Sequence, residues 1–206
     1  MRILQVFLDI GHLGKRSAPG DLGASADLDR SGRLEADEHE ALLALEYAGH
    51  AARELGHAGA AVQMWARGDY HERHRRAREL AKSAGPLSLS AYIQCHLNVD
   101  AGYGLVCYDA RSTLGAGLAG CIGSTLGHGL PELTSVRVEG ASQATWTRRA
   151  LATIGGIYEG PAWLTGICFE PASINVHREM LCSEGGPRRI GEALADGIIA
   201  WSAATP

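Results

Sequence analysis

Short runs of β-branched and aromatic residues alternate along the chain with longer segments in which apolar positions recur at helical spacing. The short runs have the length and composition of buried strands, and they occupy residues 2–8, 60–65, 89–96, 103–108, 133–138 and 162–169. Helical periodicity covers residues 36–56, 70–84, 111–126, 144–155 and 187–202. This alternation predicts an α/β fold of three layers, with a twisted, mostly parallel sheet of about six strands flanked by helices.

Composition and charge narrow the class of protein. With 206 residues, 46% of them hydrophobic and 20% charged, the chain has enough apolar material for one globular domain spanning residues 1–206. A net charge of -4 argues against nucleic-acid binding, and we interpret the one basic run, residues 71–82, as a solvated helix face. The five cysteines are odd in number and lack a CxxC spacing, which favours reduced thiols.

The sequence contains no recognisable targeting or membrane segment. Its first residues, MRILQVFLDIGH, lack the charged region, long apolar run and cleavage site of a secretory signal, and no apolar run approaches the length of a membrane span. We therefore expect synthesis in the cytoplasm without a Sec signal peptide and no insertion into a membrane. We also expect a monomer.

Polar residues suited to metal chemistry follow three of the predicted strands. His12 lies just past the first strand, His96 lies at the end of the third, and Glu170 lies at the end of the sixth. The carboxyl ends of parallel strands meet at one edge of a sheet, where binding sites commonly form. A catalytic zinc ion typically takes three protein ligands from His and Asp or Glu, with a further carboxylate nearby to move a proton. These three residues therefore supply all of such a site except one carboxylate ligand.

The missing carboxylate is expected at the start of the helix that follows the first strand. If that helix runs from about residue 36, its apolar stripe faces the sheet, and Glu40 and Glu38 lie at the two borders of that stripe. One helix start can therefore present one carboxylate to each of two sites.

The segment DLDRSGRLEADE, residues 27–38, matches the template of a calcium-binding loop. Its candidate ligands are Asp27, Asp29, Ser31, the carbonyl of Arg33, and Glu38. The residues before it do not form a good entering helix, so a plain acidic loop, favoured by the dipole of the following helix, is the other interpretation. Calcium at an inserted loop is thus one of two hypotheses for this segment.

Several motifs, in chain order, resemble those of the zinc-dependent N-acetylmuramoyl-L-alanine amidases, the type 3 family of bacterial cell-wall hydrolases and phage endolysins. The matching segments are FLDIGHLG (7–14), LGHAGAAV (55–62), QCHLN (94–98), GYGLVCY (102–108) and PAWLTGICFEPASIN (161–175). Together they cover essentially the whole chain. This resemblance implies one catalytic amidase domain.

The resemblance also implies roles for individual residues. His12 and His96 are expected to bind zinc, and Glu170 is expected to be the catalytic carboxylate. Counting back along the helix places the third ligand at Glu40, while GRLE (32–35) also resembles a family motif and would make Glu35 the ligand. Glu38 and Asp37 are further alternatives for this ligand.

The implied substrate is peptidoglycan, cleaved at the amide bond between N-acetylmuramic acid and L-alanine. A phage or prophage lysin acting on the cell wall is one biological role that fits. Two other hypotheses stay open: a calcium-binding regulatory or adhesion module without hydrolase activity, and a zinc amidase or peptidase that acts on an amide outside the wall.

Overall fold

Strands and helices alternate along the chain in the computed structural model, which describes residues 3–14, 20–26, 38–142 and 154–206. The strands are β1 (Ile3–Ile10), β2 (Ala61–Trp65), β3 (Ser88–Cys95), β4 (Gly104–Asp109), β5 (Val136–Ala141) and β6 (Leu164–Glu170). The helices are α1 (Glu40–His57), α2 (Tyr70–Ala84), α3 (Thr113–Gly129), α4 (Arg178–Cys182) and α5 (Gly186–Ala204).

The strands form one sheet in the order β2-β1-β3-β6-β4-β5. Neighbouring strands run parallel, except that β4 and β6 are antiparallel. The central strand β3 is buried along its whole length, as expected for a parallel strand that is covered on both faces. The predicted mostly parallel sheet of six strands is confirmed.

Helices cover both faces of the sheet, which gives the predicted three layers. Along β1, Val6 and Leu8 belong to the larger core cluster, which also contains apolar residues of α1, α3 and α5. Phe7 points to the other face and packs with Ala77 of α2 and with Tyr92. This alternation follows from the period of two along a strand. Among the described helices, none combines the length and the hydrophobicity that crossing a membrane would need.

Two helix predictions differ from the structure in their boundaries. The first helix begins at Glu40 rather than at residue 36, because His39 has extended backbone angles and forms a bridge with Ser25. The short helix α4 was not predicted, since five residues are too few to show helical periodicity. The helix predicted at 144–155 lies almost entirely outside the described residues. The five cysteines are free thiols, as predicted.

The interpretation of residues 71–82 as a wholly solvated face is wrong for two side chains. Arg73 and His74 are only 6% and 1% exposed. Arg73 forms an ion pair with the buried Asp9, and the ring of His74 packs edge-on against Tyr92. A run of charged residues can therefore include buried positions when strand residues provide partners for them.

We expect His74 to make the protein less stable in weak acid. Burial, assisted by the neighbouring Arg78, lowers the pKa of His74 to about 4. As the pH falls below 6.5, the unfolded chain therefore takes up a proton that the folded chain does not, and up to about 3 kcal/mol of unfolding free energy is lost as the pH approaches 4. Urea denaturation at pH 7.5 and pH 5 measures this effect. Between these pH values, His74→Phe should lose less unfolding free energy than the parent protein. His128→Phe, which changes an exposed histidine, should lose as much as the parent. An unchanged loss in His74→Phe would contradict this assignment.

Candidate active site

Three neighbouring strands bring His12, His96 and Glu170 to one edge of the sheet. The strands β1, β3 and β6 are adjacent and parallel. Beyond their last paired residues the backbone hydrogen bonds continue, from Gly11 N–H to the Cys95 carbonyl and from His96 N–H to the Phe169 carbonyl, both at 2.9 Å. The expectation that these side chains share one edge thus agrees with the strand register.

Glu40 completes a group of possible metal ligands. It is the first residue of α1 and is 4% exposed. Its Oε1 atom lies 2.7 Å from Nδ1 of His96 and 3.5 Å from Nε2 of His12. The three donor atoms all lie within 4.8 Å of one another. Ligands of a tetrahedral zinc ion, with bonds of about 2.0–2.1 Å, are separated by roughly 3.3 Å, so the group fits a divalent metal after small adjustments.

The turn that carries His12 has an uncommon backbone conformation. His12 has a φ of 62°, in the left-handed region that residues other than glycine rarely adopt. Next to it, Gly11 leaves room for the ring of His96, because a Cβ atom at position 11 would overlap three atoms of that ring. The two histidines are thus brought together by a tight turn that depends on a glycine.

We expect Gly11→Ala to weaken metal binding by at least about 10-fold, because the methyl group would push His96 away from Glu40. Zinc titration followed by calorimetry measures the effect. Gly49→Ala is the matched control, since a methyl group there meets no atom within 4 Å and should leave the metal affinity unchanged. Equal affinities in the two variants would show that the position of the His96 ring does not matter for metal binding.

A loop at residues 20–26 supports the ligands from the side. Asp21 places both carboxylate oxygens 3.0 Å from Nδ1 of His12, the ring nitrogen that faces away from Glu40. Ala24 N–H donates to Oε2 of Glu40 at 2.9 Å. Gly23, with a φ of 78°, lets the loop approach closely, because a side chain there would collide with Glu40. Asp21 was not predicted as part of the site; the Asp-x-Gly spacing of a tight turn was the available signal.

We expect Asp21→Asn to reduce metal affinity by about 10–100-fold, because a carboxylate that accepts the second N–H of a ligating histidine fixes its orientation and raises its basicity. The same zinc titration measures this. Asp196→Asn, on the exposed side of α5, should retain the parent affinity. Parent-like affinity in Asp21→Asn would mean that His12 needs no support from this carboxylate.

The two acidic residues of the site have opposite pKa shifts. Burial alone would raise the pKa of Glu40, but the hydrogen bond and charge of His96, together with the Ala24 N–H, bring the pKa below its ordinary value. Burial raises the pKa of Glu170, and although His96 opposes this shift, the negative charge of Glu40 reinforces it. One carboxylate is thus suited to bind a cation, and the other is suited to exchange a proton.

Arg73 of α2 holds the His12 turn from beneath the sheet. Its guanidinium donates to the carbonyls of Ile10 and Leu13, one on each side of the turn, and forms an ion pair with Asp9. Tyr92 donates a further hydrogen bond to Asp9. These buried contacts stabilise the left-handed conformation of His12.

Of the other predicted ligands, Glu38 is the one within the described residues, and it is not part of this group. Glu38 is buried at 4% exposure, but its carboxylate is not among the clustered donor atoms. Glu35 and Asp37, the alternative zinc ligands, lie outside the described residues, as do the calcium candidates Asp27, Asp29, Ser31 and Arg33. The calcium loop therefore stays a prediction.

Comparisons with known proteins identify the fold. No protein-family model matches the sequence, and no curated protein matches it significantly.

Among solved structures, N-acetylmuramoyl-L-alanine amidase AmiC2 of Nostoc punctiforme is similar, with a TM-score of 0.65 and 18% identity over 97% of each chain. The CwlD amidase from Clostridioides difficile, solved in complex with the GerS lipoprotein, has a TM-score of 0.69 and 17% identity over 98% of this chain and 99% of its own. The catalytic domain of the CD27L endolysin, which targets Clostridia difficile, has a TM-score of 0.61 and 16% identity over 95% of this chain and 97% of its own. The resemblance found in the sequence is thus confirmed in the fold, and the chain has the three-layer α/β fold of N-acetylmuramoyl-L-alanine amidases.

Proposed function

We propose that this protein is a zinc-dependent amidase that hydrolyses the bond between N-acetylmuramic acid and L-alanine in peptidoglycan. The observation that carries the proposal is the group His12, Glu40 and His96, with Glu170 on the adjacent strand, at the carboxyl edge of an amidase-like sheet. The similar structures, which include cell-wall amidases and an endolysin, support the choice of substrate.

His12, Glu40 and His96 would hold the metal through two imidazole nitrogens and one carboxylate oxygen, a ligand set suited to zinc. When bound, zinc would lower the pKa of a water molecule and polarise the carbonyl of the amide. Asp21 would keep His12 in the orientation that directs Nε2 toward Glu40. The Ala24 and Leu97 N–H groups would hold the Glu40 carboxylate in place.

Glu170 would transfer the proton. As the water oxygen attacks the amide carbon, Glu170 accepts the proton of that water; as the C–N bond breaks, it donates the proton to the leaving amine of L-alanine. The products are a muramic acid with a free lactyl carboxylate and a stem peptide with a free amino terminus. The raised pKa of Glu170 suits this exchange, because the carboxyl group must both gain and lose a proton in each cycle.

Digestion of purified sacculi, analysed by mass spectrometry, tests the proposal. We expect stem peptides with free L-alanine amino termini and no new reducing sugar ends, together with about one zinc ion per chain by elemental analysis. Loss of activity with a chelator and its return with zinc would support the metal requirement. Zinc-loaded protein that releases no stem peptide from any sacculus would contradict the proposed function.

The same elemental analysis distinguishes the competing hypotheses. Bound calcium without zinc and without hydrolysis would favour a calcium-binding regulatory or adhesion module. Zinc with hydrolysis of other amides only would favour an enzyme acting outside the wall. We propose that the protein acts on the cell wall as a monomer, and a phage or prophage lysin is the role that the similarity to an endolysin fold supports.

A further inference from the structure

A cleft of about 790 Å³ opens beside the candidate active site, at the carboxyl end of β2. Gly14, two residues after His12, lies on its wall together with Arg67 and Arg76. The turn that carries His12 therefore leads directly into this cleft. We propose that the cleft binds a carboxylate of the substrate's stem peptide through Arg67 and Arg76, an inference that rests on the proposed amidase function.

The charges on the cleft wall favour an anion. Arg73 also lines the cleft, but its charge is matched by Asp9 beneath it. The acidic residue on the wall, Glu72, takes part in the capping box at the start of α2. Arg67 and Arg76 are exposed, and neither forms an ion pair with a carboxylate in the part of the chain that the structure describes. Guanidinium groups bind carboxylates through two parallel hydrogen bonds, so this pair suits a carboxylate ligand.

The side chain of Arg76 and the backbone at Arg67 are each held by a neighbouring group. The guanidinium of Arg76 lies 5.4 Å from the centre of the Trp65 ring, in a cation–π arrangement. The backbone after Arg67 is anchored to the His12 turn, because Gly68 N–H donates to the Gly14 carbonyl at 3.0 Å. An anchored side chain loses less conformational entropy when it binds a ligand, which applies to Arg76, and the fixed backbone keeps Arg67 next to the His12 turn.

The short chain connection from His12 to Gly14 puts the cleft within reach of a peptide bound at the candidate metal site. Arg67 lies directly beside Gly14, because a Cβ atom built at Gly14 would come within 2.9 Å of the Arg67 Cα atom. Gly14 is two residues from His12, a span of at most roughly 7 Å, so the cleft begins within that distance of a candidate metal ligand. Two or three residues of extended peptide, at about 3.3–3.6 Å each, cover that distance. The second residue of the stem peptide is a γ-linked D-glutamate with a free α-carboxylate, and it would reach Arg67 and Arg76.

Two matched competitors test this assignment. They are N-acetylmuramoyl tripeptides with lysine at the third position and an amidated C-terminus, and they carry either D-isoglutamate or D-isoglutamine at the second. They therefore differ by one carboxylate. Each is added to a digestion of sacculi by the zinc-loaded protein, so the result does not depend on whether the competitor is itself cleaved. We expect the acid to inhibit at about 10–100-fold lower concentration than the amide, as is typical of a hydrogen-bonded charged group.

Variants of the two arginines should remove this discrimination. We expect Arg67→Gln and Arg76→Gln each to reduce the ratio of the two inhibitory concentrations, and the double variant to bring it close to one. Arg75→Gln is the matched control, because Arg75 is next to Arg76 in sequence, is 68% exposed and lies 4.0 Å from Glu79, away from this cleft. Its ratio should equal that of the parent.

The outcomes separate this inference from the proposed function. Equal inhibition by acid and amide, no inhibition by either, or an unchanged ratio in the double variant would overturn the carboxylate site and leave the amidase function standing. A parent protein that digests no sacculi would instead contradict the amidase function. A preference for the acid that weakens with added salt and disappears in the double variant would establish the site.

Discussion

Glu170→Gln should reduce the release of stem peptides from sacculi by about 10²–10⁴-fold while the protein keeps its zinc. Glutamine retains the size and shape of glutamate but can neither accept the proton of the attacking water nor pass it to the leaving amine. The substitution should not lower the unfolding free energy at neutral pH, because burial raises the pKa of Glu170 and makes its ionised form unfavourable in the folded protein. The measurements are the initial rate of peptide release, the zinc content and the melting temperature.

The control for this experiment is Glu79→Gln on α2. Glu79 is 69% exposed, and its ion pair with Arg75 spans 4.0 Å, so neither activity nor zinc content should change. If Glu170→Gln bound zinc and cleaved at the parent rate, the proton transfer would have to be assigned to another group. If it lost its zinc, Glu170 would be supporting the metal site rather than exchanging a proton.

Glu40→Gln should weaken zinc binding by more than about 100-fold. This exceeds the roughly 10–100-fold effect typical of residues that hydrogen-bond to a metal ligand without binding the metal themselves. Activity measured without excess zinc should then fall to background. Glu40 is the one carboxylate in the group of three possible ligands, and its Oε1 atom approaches both His12 and His96. Glutamine has nearly the same shape but no negative charge, so its effect reports on charge and metal coordination. Calorimetric titration with zinc and elemental analysis after dialysis measure the loss.

The sequence itself offers matched controls, because Glu38 and Glu35 were alternative ligands. Glu38→Gln changes another buried carboxylate two residues away and should keep the parent affinity for zinc. Glu35→Gln should also keep it. Loss of zinc in Glu35→Gln or Glu38→Gln, with normal binding in Glu40→Gln, would show that the earlier glutamate, not Glu40, is the zinc ligand.

The parts of the site that lie on strand ends could be predicted from the sequence. His12, His96 and Glu170 directly follow or end apolar runs, and the hydrophobic period that identifies a strand also locates its carboxyl end. The choice among Glu35, Asp37, Glu38 and Glu40 could not be made from periodicity, because four acidic residues lie within six positions. It depends on where α1 begins, and the extended backbone of His39 determines that.

Asp21 and Arg73 show what sequence reasoning missed. Asp21 contacts a histidine nine residues away across an irregular loop. Arg73 forms an ion pair with an aspartate of β1 that lies 64 residues away in the sequence. Neither contact has a local pattern, since each forms only after the loop and the helix have packed against β1.

The sequence by itself therefore determined the order and type of the main elements, the mostly parallel sheet, and the strand-end residues of the candidate site. Hydrophobic periodicity is a local property, and the edge shared by parallel strands follows from it. Only the tertiary structure showed that Glu40, among the described acidic residues, lies beside the histidines, which groups hold the His12 turn, and which arginines line the neighbouring cleft. Those arrangements depend on distances between segments far apart in the chain, and such distances are set only when side chains pack and buried charges find partners.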